Sequence, residues 1–182
     1  MEYKGKESAI VPEGVFIIGT YDENGVPNAM NAAWGIQSDY DTVTFFLASH
    51  KTTDNVKKTK AFTVAFATED TVEISDYFGI ASGRKVDKIK AAGVHVHKGE
   101  YVNAPIIEEY PVTVECEMVS YSDETGILTG RIIAEHADDS VITEGKIDLG
   151  KLKPIMFDSS IRAYRKIGPV VAKAWDAGKK FM

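Results

Sequence analysis

The feature that most constrains the fold is a succession of short runs rich in β-branched and aromatic residues, separated by turn signals. The clearest run, residues 15–21 (VFIIGTY), leads into residues 22–25 (DENG), whose Asn-Gly pair is a strong hairpin signal. Further strands are predicted at residues 27–34, 42–48, 61–67, 112–121, 126–136 and 155–157. Many short strands with few helices favour a β-barrel over a doubly wound sheet.

Helical patterns are few and short. They are predicted at residues 56–59, 72–80, 86–92 and 170–180. Thr52 or Thr53 can act as the N-cap of the first helix, and Gly93 is a reasonable C-cap for the third. The second and third helices form an insertion between two predicted strands.

Composition indicates a globular protein. With 44% hydrophobic and 26% charged residues, residues 1–182 are expected to form one domain around one buried core. The net charge of −6 argues against a nucleic-acid partner, because phosphate binding needs a surplus of clustered Lys and Arg. No run is long enough to span a bilayer, so no membrane partner is expected.

Two features predict a cytoplasmic location. Residues 1–6 (MEYKGK) lead into Glu7 without an apolar stretch, so no signal peptide is expected. Cys116 is the only cysteine, and it lies in the alternating pattern of a strand at residues 112–118. An intramolecular disulfide is therefore impossible, and a reducing compartment is expected.

Residues 49–55 (SHKTTDN) are the most informative local segment, because they join a strand to the start of a helix. Free backbone N–H groups and the helix dipole make such a start an anion site. Lys51 would add a full positive charge, and Ser49, Thr52 and Asn55 could donate hydrogen bonds to phosphate oxygens. The alternative is ordinary capping followed by a solvated basic helix.

Residues 28–35 (NAMNAAWG) form a poor strand by propensity, with small side chains that would let a planar group lie against the backbone. The alternative is a strand packed closely on a helix, with Trp34 in the core. Residues 82–88 (SGRKVDK) place three cations around another helix start, which suits a second phosphate or ribityl contact. The alternative is a surface loop with ordinary helix capping. Neither of the nucleotide-binding motifs GxGxxG and GxxxxGK[ST] occurs in the sequence, so no dinucleotide-binding domain is expected.

His95 and His97 share one face if residues 93–98 are extended, a spacing that some metal sites use. Further ligands are not obvious nearby, so a solvated strand face is the preferred interpretation and no metal is expected. Spacing alone indicates no Ser/His/Asp nucleophile either.

Several segments, taken in order, resemble the flavin reductase-like family of FMN-binding split barrels, which includes the flavoredoxins. The similar segments are residues 22–34, 49–55, 78–88, 104–107, 114–118 and 130–132. The resemblance implies a mainly β, Greek-key-like split β-barrel with a few short α-helices.

The resemblance also implies roles for individual residues. The small-residue strand would border the isoalloxazine ring with Asn31 near the ribityl chain, the strand-to-helix turn would hold the phosphate, and the third loop would lie close to the flavin. The implied cofactor-binding residues are Asn28, Ala29, Met30, Asn31, Ala32, Ala33, Trp34, Ser49, His50, Lys51, Thr52, Asn55, Ser82, Gly83 and Lys88.

Members of the family are typically homodimers with the flavin near the subunit interface. The resemblance therefore implies that the C-terminal stretch with Tyr164 and Trp175 covers a neighbouring ring. Some flavoredoxins use a cysteine near the first strand, but residues 15–21 contain none, so no thiol-dependent step is expected.

The implied reaction is hydride transfer from NADH or NADPH, as transient donor, to N5 of bound FMN, followed by transfer to free flavin or another small acceptor. No catalytic side-chain acid or base is needed for this step. Two alternatives stay open. The protein could carry electrons from FMN to a redox partner protein, or it could be a non-catalytic split barrel that stores flavin or binds another ligand such as haem or pyridoxal phosphate.

Overall fold

The computed structural model describes residues 12–182, so the expectation about a signal peptide in residues 1–6 lies outside it. The strands are β1 (Glu13–Gly14), β2 (Phe16–Tyr21), β3 (Pro27–Ala32), β4 (Gly35–Asp39), β5 (Thr42–Phe46), β6 (Ala61–Phe66), β7 (Val96–Lys98), β8 (Pro105–Ile107), β9 (Val112–Tyr121), β10 (Ile127–Ala137), β11 (Ile142–Thr143), β12 (Lys146–Ile147), β13 (Ile155–Asp158) and β14 (Ala163–Lys166). The α-helices are α1 (Lys51–Thr59), α2 (Val72–Ile80), α3 (Lys88–Ala92) and α4 (Leu149–Leu152), and 3-10 turns lie at Glu69–Thr71, Asp139–Val141 and Lys179–Phe181.

The main body is an antiparallel seven-stranded sheet in the order β3-β2-β6-β9-β10-β5-β4. Register shifts between β9 and β10, at Thr129/Gly130 and Ile132/Ala134, increase the local twist and curl the sheet into a half-barrel. Gly130 permits this curvature, because a Cβ there would lie 2.3 Å from the Phe62 ring. The architecture is mainly β with a few short helices, as the sequence predicts.

The larger buried cluster packs on this sheet. Its largest buried side chains include Phe45, Phe62, Ile18 and Leu128, which come from four different strands. A second buried cluster, with Phe78 of α2 and Ile89 of α3, fixes the inserted helices against β2 and β3. Burial of each such side chain contributes about 1.5–3 kcal/mol, so the insertion is held rigidly beside the sheet.

The predicted hairpin is confirmed. Gly25 has a positive φ of 76°, and the Asp22 carboxylate accepts hydrogen bonds from the backbone N–H groups of Asn24 and Val26, each at 2.9 Å. The return strand ends at Ala32 rather than at Trp34. The prediction did not include β4, because its residues (GIQSD) form an exposed edge strand with no alternating apolar pattern.

Two predicted helix starts are wrong. Helix α1 begins at Lys51 with His50 as N-cap, because the Thr52 hydroxyl accepts a hydrogen bond from Asn28 and that of Thr53 donates to a carbonyl. Helix α3 begins at Lys88 rather than at residue 86, because the Asp87 side chain caps the Lys90 N–H.

Gly93 does end α3 in the left-handed conformation, as predicted.

The predicted C-terminal helix is absent. Residues 168–178 form turns and irregular chain, followed by the 3-10 turn Lys179–Phe181. The apolar residues at helical spacing pack on nothing in residues 12–182, and an isolated helix of this length is marginal without tertiary contacts. Among the described helices, none combines the length and the apolar character needed to cross a bilayer.

Candidate functional site

An open cleft of about 220 Å³ lies where β3, the start of α1 and the chain from the end of α2 to α3 converge. These are the three segments that the sequence singles out separately, and the fold brings them together. The cleft is lined by Asn28, Met30, Asn31, His50, Lys51, Thr52, Phe78, Gly79, Ile80, Ala81, Ser82, Gly83, Arg84 and Lys88.

Two asparagines of β3 anchor the other two segments. Asn28 Nδ2 donates to Thr52 Oγ1 at 2.7 Å in a buried contact, and Asn31 Nδ2 donates to the Ser75 carbonyl of α2 at 3.0 Å. Gly83 allows the third segment to approach the strand, since a Cβ there would lie 2.1 Å from Asn28 Oδ1. The polar residues that weaken β3 as a strand are therefore the ones that build the cleft.

The N-terminus of α1 opens into the cleft without a side-chain cap. His50 adopts an extended conformation, and its side chain makes no capping hydrogen bond to the first turn. The first-turn N–H groups and the positive end of the helix dipole are therefore available to an anion. Burial, followed by the nearby charges of Lys88 and Arg84, lowers the pKa of His50.

Three cationic side chains line this cleft. Lys51 Nζ lies 3.4 Å from Asp22, and Arg84 donates to Asp54 at 2.7 Å and to Ser49 at 3.3 Å. Lys88 is different, because it is only 4% exposed and donates to the Phe78 carbonyl at 2.9 Å.

Burial lowers the pKa of Lys88 to about 8. Its hydrogen-bond acceptor in the described structure is a backbone carbonyl at the last turn of α2, not a carboxylate. A buried ammonium without a carboxylate partner is stabilised when a bound anion neutralises it. The donor set of the cleft therefore fits a phosphate-bearing ligand.

Not all residues predicted for the site line the cleft. Ala29 and Ala32 are buried, Ala33 lies beyond the end of β3, and Trp34 is 65% exposed and donates to Glu13 at 3.1 Å. The exposure of Trp34 overturns the alternative that placed it in the core.

Two polar members of the predicted set lie beside the cleft. Asn55 is buried and donates to Thr20 at 3.0 Å, whereas Ser49 contacts the cleft through Arg84. The sequence prediction omitted five lining residues, Phe78, Gly79, Ile80, Ala81 and Arg84. The sequence did contain a signal for Arg84, because it is one of three cationic residues in the loop from which Ser82 and Lys88 were predicted.

Neither Tyr164 nor Trp175 lines the cleft of its own chain, although Tyr164 contacts the side chain of Asn31, which does. The Tyr164 hydroxyl donates to Asp76 at 2.8 Å, and burial with this carboxylate raises its pKa to about 12. Trp175 is 96% exposed.

The histidine pair does not converge on a shared ligand position. His95 lies 2.9 Å from Glu109, and His97 lies 3.2 Å from Glu108. Within residues 12–182, no group of three or more His, Cys, Asp or Glu side chains is arranged to hold a metal ion.

The curled antiparallel half-barrel and its cationic cleft define a β-barrel protein suited to an anionic ligand. The chain belongs to the flavin reductase-like domain family, whose sequence profile matches residues 8–162. This result confirms the resemblance.

Solved structures similar to this chain are consistent with the same family. The chain is similar to the flavoredoxin of Desulfovibrio vulgaris (Miyazaki F), with 30% identity and a TM-score of 0.93 over 98% of this chain and 100% of that one. A flavoredoxin from Methanosarcina acetivorans is 26% identical, with a TM-score of 0.89 over 100% of both chains. An FMN-binding domain of a flavin reductase-like enzyme from Shewanella baltica OS155 shares 16% identity, with a TM-score of 0.80 over 88% of this chain and 89% of that chain. The split-barrel fold class is thus confirmed.

Proposed function

We propose that this chain binds FMN in the cleft and acts as an NAD(P)H-dependent reductase of free flavin or another small acceptor. The observation that carries the proposal is the uncapped start of α1 facing the same cleft as Lys51, Arg84 and buried Lys88. These groups form a phosphate site in a chain of the flavin reductase-like family. A similar structure is described as an FMN-binding domain, which supports the choice of cofactor.

Different residues would contact different parts of the cofactor. The α1 N–H groups, Lys51 and Arg84 would bind the phosphate, and Asn31 would lie near the ribityl chain. The cleft, at about 220 Å³, is smaller than the roughly 300–1,000 Å³ of pockets that enclose a whole ligand. Part of a bound cofactor of this size would therefore lie outside the cleft, where Ile80 is exposed.

FMN, when bound, supplies the redox chemistry by accepting a hydride from NADH or NADPH at N5 and passing electrons to the acceptor. The protein binds and orients it. His50, whose pKa is lowered first by burial, adds a polar imidazole to the wall of the cleft. We propose in addition that two copies associate, with each cleft near the interface.

The defining experiment is an FMN titration of the purified protein, followed by anaerobic addition of NADH or NADPH. We expect a yellow complex with a flavin spectrum that either nucleotide bleaches, and reoxidation by free flavin. A protein that stays colourless and fails to bind added FMN would overturn the proposal. Bound flavin that neither nucleotide bleaches would favour the second candidate, an electron carrier, for which the similarity to two flavoredoxins speaks.

Lys51→Ala tests the phosphate site. We expect FMN affinity to fall about tenfold or more, because a charge-assisted contact to phosphate contributes roughly 1.5–3 kcal/mol. Lys58→Ala is the matched control, since Lys58 belongs to the same helix and pairs at 2.9 Å with Glu23, next to the Asp22 partner of Lys51. Equal affinities for the two variants would remove Lys51 from the site.

A further inference from the structure

Asn31 lines the cleft, and two residues that do not line it hold its side-chain amide. Asn31 Nδ2 donates to the Ser75 carbonyl of α2 at 3.0 Å, and the hydroxyl of Tyr164 contacts the same side chain. The Tyr164 hydroxyl in turn donates to Asp76 Oδ1 at 2.8 Å. These four residues form one hydrogen-bonded group, which we call the Asn31 network.

Tertiary packing fixes the place of Tyr164 in this network. In the β13–β14 pair, Tyr164 lies opposite Phe157, with the two ring centroids 5.9 Å apart. Both rings pack against the buried cluster that contains Phe78 of α2. Gly79 lets α2 approach β3, since a Cβ there would lie 3.3 Å from Asn31 Cβ. The amide is therefore held between β3, α2 and β14.

The direction of each hydrogen bond in the Asn31 network is determined by its acceptors. A carboxylate and a backbone carbonyl accept hydrogen bonds and cannot donate them. Because the Tyr164 hydroxyl gives its one hydrogen to Asp76, its oxygen can only accept from Asn31. The Ser75 carbonyl also requires an N–H donor. Both contacts therefore select Nδ2, which has two hydrogens, as the atom of Asn31 that faces the protein.

This orientation leaves the carbonyl oxygen of the amide for a ligand. Asn31 Oδ1 has no hydrogen-bond partner within residues 12–182. Since the side chain lines the cleft, the polar atom that it offers there is an acceptor.

We propose that Tyr164 is a positioning residue that, with Asp76, fixes the Asn31 amide so that the cleft offers a hydrogen-bond acceptor to a ligand hydroxyl. The inference rests on the proposed function and deepens it, because the ribityl chain of FMN carries such hydroxyl donors. An amide that was free to turn over would offer donor and acceptor alternately. A fixed amide also loses less conformational freedom when the ligand binds.

The Asn31 network acts on an uncharged part of the ligand, which separates it from the phosphate site. Riboflavin has the ribityl chain but no phosphate. Tyr164→Phe should therefore weaken the binding of FMN and of riboflavin by the same factor, whereas Lys51→Ala should weaken the binding of FMN alone. A Tyr164→Phe effect confined to FMN would contradict the assignment to the ribityl chain.

A double-mutant cycle tests whether Tyr164 acts through Asn31. Tyr164→Phe removes only the hydroxyl, and we expect FMN affinity to fall about three- to tenfold, in line with the loss of one neutral hydrogen bond. In an Asn31→Ala background the same change should have almost no further effect. Equal losses in both backgrounds would show that Tyr164 does not act through Asn31 and would overturn the proposal.

Tyr121→Phe is the matched control. The Tyr121 hydroxyl also donates one hydrogen bond, to the Leu47 carbonyl at 3.0 Å, and Tyr121 does not line the cleft. This variant should bind FMN as the wild type does. A loss as large as that of Tyr164→Phe would mean that the effect is not specific to the Asn31 network.

NMR of the flavin-free protein tests the positioning of the amide directly. The side-chain N–H signals of Asn31, assigned by their absence from Asn31→Ala, should shift in Tyr164→Phe and stay in place in Tyr121→Phe. Unchanged signals in Tyr164→Phe would overturn the positioning role. If the wild type binds no flavin but these signals shift as expected, the proposed function fails while the positioning of the amide holds.

Discussion

At the scale of single residues, Lys88 is the most unusual group in the cleft. A lysine is rarely this buried, and here the segment that begins α3 forces its side chain under the last turn of α2. Burial lowers its pKa to about 8, so its charge changes within an accessible pH range. In the proposed complex, an anionic ligand would bind the charged form preferentially.

FMN affinity should therefore depend on pH through Lys88. As pH rises from 7 to 9, the ammonium loses its proton, and we expect wild-type affinity to fall beyond the change shown by Lys88→Met. The variant should bind more weakly at pH 7 because it lacks the charge. Fluorescence titration across this range measures both effects. Lys90→Met, an exposed position of the same helix, should follow the wild type, and a Lys88→Met profile parallel to the wild type would contradict the assignment.

Cys116 should be chemically silent in the folded protein. It is fully buried, and burial, followed by the nearby charge of Glu115, raises the pKa of the thiol to about 12. The reactive thiolate is thus almost absent at pH 8. We expect a thiol reagent to titrate one cysteine per chain in denaturant and to react in buffer only as fast as the protein unfolds. Rapid reaction under native conditions would contradict this burial.

At the scale of elements, Glu115 links the middle of the sheet to the loop before β8. Its carboxylate accepts backbone N–H groups of Glu100, Tyr101 and Val102 at 3.2, 3.0 and 2.8 Å, and His136 Nε2 lies 2.6 Å away. Burial would raise its pKa, but the hydrogen bonds from Val102, His136, Tyr101 and Glu100 together lower it below its ordinary value. The ionised form therefore stabilises the fold.

Glu115→Gln should cost about 2–4 kcal/mol of unfolding free energy at pH 7, because buried backbone donors lose a charged acceptor. A carboxylate with a lowered folded pKa contributes stability above its unfolded pKa of about 4.5, and this stability is lost as pH falls through the folded value. The difference between wild type and variant should shrink accordingly in urea titrations below pH 4.5. Glu117→Gln, an exposed position on the same strand, should change stability by less than about 0.5 kcal/mol.

In the molecule as a whole, the charge of the cleft is opposite in sign to the net charge of the chain. The chain has a net charge of −6, yet Lys51, Arg84 and Lys88 meet in one cleft. This concentration of positive charge depends on tertiary structure, since Lys51 lies on a different segment from Arg84 and Lys88. An anionic ligand would be attracted locally while the rest of the surface repels it.

Salt should accordingly weaken FMN binding and leave riboflavin, which lacks the phosphate, almost unaffected. The Debye length falls from about 10 Å at 0.1 M to about 3 Å at 1 M ionic strength, which screens the partly exposed Lys51 and Arg84 more than buried Lys88. We expect a several-fold loss of FMN affinity over this range. Parallel titrations of both flavins measure it, and equal salt dependence would show that the phosphate does not bind among the cations.

Features that depend only on neighbouring residues could be predicted from the sequence. The Asn-Gly hairpin, the long strands of the sheet, α2 and the Gly93 cap follow from turn chemistry and from apolar periodicity over a few residues. The anion-binding character of residues 49–55 also follows locally, from a strand that delivers polar side chains to a helix start. The flavin role came from family resemblance rather than from local chemistry.

Other features depend on contacts between residues far apart in the sequence and could not be predicted from it. Thr52 became a buried partner of Asn28 instead of a cap, so α1 begins earlier than its sequence indicates. The edge strand β4 forms because β5 offers it a partner, although its own residues have no strand pattern. Residues 170–180 have helical spacing but stay irregular apart from a 3-10 turn, because a short helix needs a surface to bury its apolar face and residues 12–169 offer none.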